Sequence, residues 1–478
     1  MNPKEPNKQG DRIVRRPRLR DIQPTSIALN RARKPQRIFS PTLVLFYGFM
    51  ILILIGSIIL MLPISSADQT YTSFENAIFT ATSAITVTGL TVVPTTEHWS
   101  SFGKGIIFFL MLVGGIGFMS FATFILIVIG QRITLSERIL IRDSVGGEKL
   151  GGIVGLIRRI FIVVIIIYGI GMAIIFSQMI QIFPLKEAVW QSAFLSVSGF
   201  NNAGFTILPD SNSLEGISNN VVILITITIL ILLGGIGWSV IVDTYKSRRF
   251  SRLTLDTKLI TTASISLWLF GALILLLSEF TNSLTLGEMA IHEKVSQSLF
   301  LSISGRTAGF ATIPLNGINE LTKLLLISLM FIGGAAGSVA GGIKIGTFAV
   351  IAAAVVSSIK GRLQVEAFGR EIPQYQVLRA ITIGILGLTL IILVSVSLTL
   401  VESDKAFPFL DLLFETVSAF GTAGLSMGIA PFLTIWGKLM LTGIMILGRI
   451  GPLALALALT PREDTPSYKF AQERVRIG

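Results

Sequence analysis

Cysteine is absent, histidine occurs twice, and charged residues make up only 14% of the 478-residue chain. Without cysteine there is no disulfide framework, no thiolate metal site and no cysteine nucleophile, and the redox compartment cannot be read. His98 and His292 lie in polar connecting segments far apart in sequence and receive no role. No nucleophile–base pair, metal cluster or carboxylate dyad falls within the apolar segments, so an enzyme is not expected. Scarce charge is matched by abundant apolar residues: 51% of the chain is hydrophobic and its mean hydropathy is +0.76. A soluble domain with a polar surface does not reach such a value, and the chain belongs in lipid. A cleavable signal peptide is not expected either, because residues 1–40 are polar and arginine-rich with no apolar core.

A bilayer core about 30 Å thick needs about 20 apolar residues in a helix. Eight stretches meet that requirement, near 41–63, 102–130, 155–183, 219–245, 258–279, 319–355, 377–401 and 433–460. Between the members of each successive pair lie shorter segments, near 73–84, 186–198, 293–304 and 408–419. At 1.5 Å per residue these reach only about 18 Å, so they read as re-entrant or interfacial helices. The N-terminal tail, three alternate loops with their flanks, and the C-terminal tail hold 30 of the 39 lysines and arginines. That side is cytoplasmic by the positive-inside rule, with both termini on it. The formal charge of +12 is thus topology rather than a nucleic-acid surface, although the arginines of the tail suit anionic lipid heads or an acidic partner. The opposite face is net negative and would concentrate cations at an entrance.

The four short segments, each taken with the residues after it, resemble one another: Phe79-TATSAITVTGL, Phe194-LSVSGFNNAGF, Phe300-LSISGRTAGF and Phe414-ETVSAFGTAGL. Their glycines, Gly89, Gly204, Gly309 and Gly424, are 115, 105 and 115 residues apart. The second span of each unit carries a related motif, Gly114-Gly-Ile-Gly, Gly234-Gly-Ile-Gly, Gly333-Gly-Ala-Ala-Gly and Gly448-Arg-Ile-Gly, at 25, 30, 24 and 24 residues past the loop glycine. Two landmarks in register define a fourfold repeat. The fold expected is an all-α integral membrane protein of four tandem helix, pore helix, filter loop and helix units around one pore. The units span 41–130, 155–245, 258–355 and 377–460, flanked by cytoplasmic tails at 1–40 and 461–478.

A short helix ending in mid-membrane turns its partially negative C-terminus toward the centre, which favours a cation. Non-helical backbone at that depth is tolerated only where it lines a polar cavity. Glycine lets such backbone approach closely, so four loops around an axis can present carbonyl oxygens that replace an ion's hydration shell. The residues concerned are Val87, Thr88 and Gly89; Asn202, Ala203 and Gly204; Thr307, Ala308 and Gly309; and Thr422, Ala423 and Gly424. For the glycine motifs of the second spans, helix packing is an equal explanation. The third is different: Gly333, Gly334, Gly337, Gly341, Gly342 and Gly346, with Ser338 and Lys344, break helix too often for one continuous span. An intramembrane loop at 333–346, lying beneath the filter and able to obstruct it, is expected. Arg449 replaces the second glycine of the motif; it either lines the pore as a barrier to cations or snorkels to the interface. Arg306, at the third loop, has either an acid partner such as Glu293 or Glu415 or an effect on ions.

These motifs, TVTGL, NNAGF, RTAGF, GTAGLS, GGIG and GSVAGGIKIG, resemble those of the Trk/Ktr/HKT superfamily of potassium transporters, and most closely its Ktr membrane subunit, over residues 41 to about 460. The resemblance implies that Gly89, Gly204, Gly309 and Gly424 form the selectivity filter. It associates serine at the first position with sodium transport in plant relatives, so four glycines imply potassium as the transported ion. It also implies a gating loop at Gly337, Ser338, Gly341, Gly342 and Lys344, an arginine barrier at Arg449, homodimerisation, sodium as an activator, and a separate cytoplasmic ring binding ATP or ADP. No Rossmann fingerprint opens a βα unit in this chain, so no organic cofactor is expected on it. Two other readings stay open: a sodium-coupled or sodium-permeable carrier, and a non-conducting subunit of a membrane complex.

Overall fold

The computed structural model describes residues 41–117, 153–209 and 213–451; the tails 1–40 and 461–478, and the ends of the second spans expected at 102–130 and 433–460, lie outside the described residues. The first unit comprises α1 (Pro41–Met61), α2 (Phe74–Thr86) and α3 (Ser101–Ile116). The second has α4 (Ile153–Met179), α5 (Leu185–Asn201), α6 (Val221–Gly235) and α7 (Trp238–Ser247), and the third α8 (Leu255–Glu279), α9 (Ile291–Thr307), α10 (Glu320–Phe331) and α11 (Ile345–Ile359). The fourth has α12 (Gln374–Val401), α13 (Phe409–Gly421) and α14 (Ile435–Ile450). A small hairpin, β1 (Glu366–Ala367) with β2 (Arg370–Glu371), joins α11 to α12.

Among the described residues, Arg158–Met179, Leu255–Glu279 and Gln374–Val401 are long and apolar enough to cross a bilayer singly. The span expected at 219–245 is not one helix. It breaks between α6 and α7, which are bent by 96°, because Gly237 takes φ 85°, a left-handed conformation open to glycine at little cost. The corresponding Gly117 and Gly451 take φ 86° and 94° at the ends of α3 and α14. In the third unit helix stops at Phe331 and resumes at Ile345.

The starts of the second helices are fixed by polar caps. Ser100, Asn220 and Thr434 accept from the N–H of Gly103, Ile223 and Gly437 at 3.2, 3.1 and 3.2 Å. Two buried carboxylates reinforce this: Glu279 at the end of α8 accepts from the Asn319 N–H at 2.9 Å, and Glu402 after α12 accepts from the Thr434 N–H at 2.7 Å. Each thus places a negative group at the N-terminus of the helix that follows the short one in its own unit, α10 and α14 respectively, where the helix dipole favours it. The short helices run two or three residues further than expected, to Thr86, Asn201, Thr307 and Gly421. In the first unit Thr86 Oγ1 bonds back to the Thr82 carbonyl at 2.7 Å, which extends the helix in place of loop.

Between units the packing is cyclic: α3 lies against α5, α6 against α9, α10 against α13, and α14 against α2. The second helix of each unit therefore rests on the short helix of the next, and the fourth returns to the first. Lys323 and Lys438, at the starts of α10 and α14, tie two of these contacts, to Asp411 at 2.8 Å and to Asn76 at 2.9 Å.

Candidate functional site: a ring of four loops

Three short helices end in the same way. Val87, Asn202 and Thr422 take left-handed backbone at φ 58°, 56° and 46°. The following amides, of Thr88, Ala203 and Ala423, donate to the carbonyls of Ser83, Ser198 and Ser418 at 2.8, 2.8 and 2.9 Å, a closure of the kind that ends many helices. A β-branched residue in that conformation is strained, and the chain holds two, Val87 and Thr422, at this site. The third loop differs: Phe300 precedes Gly309 by nine residues, whereas the other three units have ten. Helix α9 accordingly runs through Thr307, Ala308 sits at φ −123°, and the amides of Ala308 and Gly309 both donate to the Ser304 carbonyl at 2.8 and 3.2 Å.

The chain then reaches the four loop glycines, at φ 91°, 69°, 71° and 88° for Gly89, Gly204, Gly309 and Gly424. A Cβ on Gly89 would lie under 3.0 Å from the Ala203 carbonyl oxygen, one on Gly204 from that of Ala308, one on Gly309 from that of Ala423, and one on Gly424 from that of Thr88. Each glycine thus meets the carbonyl that precedes the glycine of the next unit, and the fourth meets the first. Both the left-handed φ and the contact exclude a side chain.

The side chains beneath this ring are polar and joined across units. Asn202 Nδ2 donates to Thr307 Oγ1 at 3.0 Å, the hydroxyls of Thr86 and Thr88 are 2.7 Å apart, and Thr422 Oγ1 accepts the Gly341 N–H at 3.0 Å. That last bond comes from the non-helical segment between α10 and α11. Its backbone is fixed by amides of Ala335 and Val339 donating to the carbonyls of Gly235 and Gly234 at 3.0 and 3.2 Å, and by the Gly342 amide donating to Gly448 at 3.2 Å. Gly337 and Gly342 take φ 72° and 65°, and Ser338 closes a turn on Ala335 at 3.2 Å. Lys344 donates to the Ala340 carbonyl, and Arg449 donates to the carbonyls of Val339 and Gly114. The segment is therefore held by the second and fourth units directly and by the first through Arg449.

The motif glycines of the second helices serve close packing: a Cβ on Gly114, Gly234 or Gly448 would fall under 3.0 Å from the carbonyl of Ile85, Phe200 or Phe420. Arg306 has neither of the acid partners considered for it. Glu415 accepts from Ser426 Oγ at 2.6 Å and the Met427 amide at 2.9 Å, and Glu293 from the Ala290 amide at 3.0 Å. The guanidinium of Arg306 lies over the Trp268 ring, 5.4 Å from its centroid, with Nε and Nη1 unpartnered among the described residues. A cation over an aromatic face replaces the ion pair.

The residues that sequence reasoning passed over are four serines, and Glu415 was considered only as a partner for Arg306. Ser83, Ser198, Ser304 and Ser418 are fully buried, and each binds its own loop through its hydroxyl. Glu415 binds the chain just after Gly424. The serines were visible as a repeated position in the four motifs; the glutamate occurs in one unit only and offered no such signal.

The family described as cation transport protein, TrkH, matches residues 22–468. The Ktr system potassium uptake protein B of Bacillus subtilis (strain 168) is 38% identical over 427 residues, covering 89% of this chain and 94% of that protein. The potassium/sodium uptake protein NtpJ of Enterococcus hirae is 35% identical over 449 residues, covering 93% and 99%. The crystal structure of the potassium transporter TrkH from Vibrio parahaemolyticus shares the fold, with a TM-score of 0.69 at 19% identity over 90% of this chain and 87% of that one.

Proposed function

Given that the chain belongs to the TrkH family of cation transport proteins, we propose that it takes up potassium through a filter of backbone carbonyls supplied by its four loops. The observation that carries this reading is the closed ring in which Gly89, Gly204, Gly309 and Gly424 stand against the carbonyls of Ala203, Ala308, Ala423 and Thr88. Such carbonyls replace the hydration shell of a monovalent cation without binding it as a fixed charge would, so that the ion can leave again. The short helices aim their carbonyl ends at the same place and add to the favourable field. The relatives named for potassium uptake fit this substrate, and the relative named for potassium and sodium makes sodium permeation the second reading.

Below the filter the segment at 333–346 obstructs the path, with Gly341 bonded to filter residue Thr422 and Arg449 fastening the segment to two other units. Opening requires that those bonds be exchanged. As the Bacillus subtilis relative is named for a Ktr system, the stimulus comes from a cytoplasmic nucleotide-binding ring docked on the membrane subunit, which acts as a homodimer in the plasma membrane with both termini inside. The test is potassium and sodium flux into liposomes holding the purified protein. Potassium-selective flux that loses selectivity in Gly89→Ser supports the reading. Flux with no preference between the two ions in the wild type favours the second one.

A further inference from the structure

The four buried serines differ in what they bind. The amides of Gly89 and Gly424 donate to Ser83 Oγ and Ser418 Oγ, both at 3.1 Å. In the third unit the Phe310 amide donates to Ser304 Oγ at 2.8 Å, while that hydroxyl donates to the Phe310 carbonyl at 2.7 Å. In the second, among the described residues, Ser198 Oγ donates to the Phe205 carbonyl at 2.7 Å and accepts no amide.

A trans peptide is planar, and its N–H and C=O point in opposite directions. An amide held by a hydroxyl on the short helix therefore sends the carbonyl of the same peptide away from that helix. The Gly89 amide shares its peptide with the Thr88 carbonyl, and the Gly424 amide with the Ala423 carbonyl. Those are the two oxygens that stand against Gly424 and Gly309 in the ring. By the same rule Ser304 turns the Gly309 carbonyl away from α9. Ser198 does the converse: by accepting no amide and binding the Phe205 carbonyl, it draws that oxygen toward α5.

Building on the proposed filter, we propose that Ser83, Ser418 and Ser304 are positioning residues that orient the Thr88, Ala423 and Gly309 carbonyls for potassium, whereas Ser198 withdraws a carbonyl at the outer end of the second loop. These hydroxyls do not touch the ion. They fix how far each peptide plane can rotate, and hence how well four unlike loops match the coordination of one ion size. Selectivity is set in part behind the filter, by groups whose removal leaves the glycines in place.

The experiment measures the potassium-to-sodium permeability ratio from reversal potentials in planar bilayers, for wild type, Ser83→Ala, Ser418→Ala, Ser198→Ala and Ser57→Ala. Ser57 supplies the control: it is equally buried and donates to the Ile53 carbonyl at 2.6 Å, within α1 and away from the loops. The expected result is a fall in the ratio of roughly tenfold for Ser83→Ala and Ser418→Ala, each of which frees a loop-glycine amide. A smaller change is expected for Ser198→Ala and none for Ser57→Ala, with potassium current persisting throughout. An unchanged ratio in Ser83→Ala and Ser418→Ala beside a selective wild type overturns this proposal alone, as does an equal fall in Ser57→Ala. A wild type without potassium selectivity overturns the proposed function and this inference with it.

Discussion

Arg449 reaches across the molecule to the carbonyl of Val339, in a different unit, and the same guanidinium also holds the carbonyl of Gly114. One side chain thereby joins the first, third and fourth units. On the proposed function, a guanidinium held there by carbonyls would set a positive field in the way of a permeating cation.

Replacing it with Arg449→Ala removes both the charge and the fastening of the 333–346 segment. Potassium flux should rise by about tenfold, equivalent to about 1.4 kcal/mol off the barrier. Tracer uptake into liposomes, normalised to inserted protein, measures this. Unchanged flux in well-inserted protein would make Arg449 a purely structural tie.

The bond from the Gly341 amide to Thr422 Oγ1 offers a second test. Thr422→Val removes the acceptor while keeping a shape that tolerates the backbone, since Val87 already holds the equivalent left-handed conformation in the first unit. Losing the bond loosens the segment by about 1 kcal/mol. Flux should increase by roughly fivefold, and tracer potassium uptake normalised to inserted protein reads it.

The motif glycines should separate packing from conduction. Gly448→Ala places a Cβ under 3.0 Å from the Phe420 carbonyl, whereas Gly105 has nothing within 4 Å of such an atom. Overpacking of this kind costs about 1 to 3 kcal/mol. Thermal unfolding in detergent should show a lowered midpoint for Gly448→Ala and a nearly unchanged one for Gly105→Ala.

Glu402 should prove structural despite its charge. It accepts from both the amide and the hydroxyl of Thr434, at 2.7 and 2.6 Å, and lies 3.2 Å from Lys405. Glu402→Ala strips the start of α14 of these bonds and should destabilise the protein by about 1 to 3 kcal/mol, seen in the same unfolding assay. The potassium-to-sodium ratio of the surviving protein should stay that of the wild type. Such bonds also show that Glu279, Glu402, Glu415 and Asp411 are engaged with protein groups and not free to attract cations.

Much of this arrangement was legible because repetition amplified it. One Gly-Phe or Gly-Leu pair says little, but four in register, each followed by a second glycine motif, mark positions that must share a backbone conformation. The glycines Gly89, Gly204, Gly309 and Gly424 do share it. What repetition could not show is where the units depart from one another. The missing residue in the third loop, which leaves Thr307 helical, was present in the spacing from Phe300 to Gly309 but carried no visible consequence until the chain was folded. The 96° turn after α6 was hidden because Gly-Gly-Ile-Gly is as good a packing surface as it is a break, and hydropathy runs through it unchanged. Arg306 over Trp268 depends on two residues in different helices, which no local pattern connects.

The central claim is that the ring of loop glycines and carbonyls selects potassium, and Gly89→Ser tests it most directly. A serine there must adopt φ near 91° and find room beside the Ala203 carbonyl, which only a distorted ring provides. In liposomes holding wild type or Gly89→Ser, the account predicts potassium uptake in both and a potassium-to-sodium preference that falls by at least about tenfold in the variant. An unchanged preference, with Gly89→Ser folded and inserted as well as wild type, would contradict it.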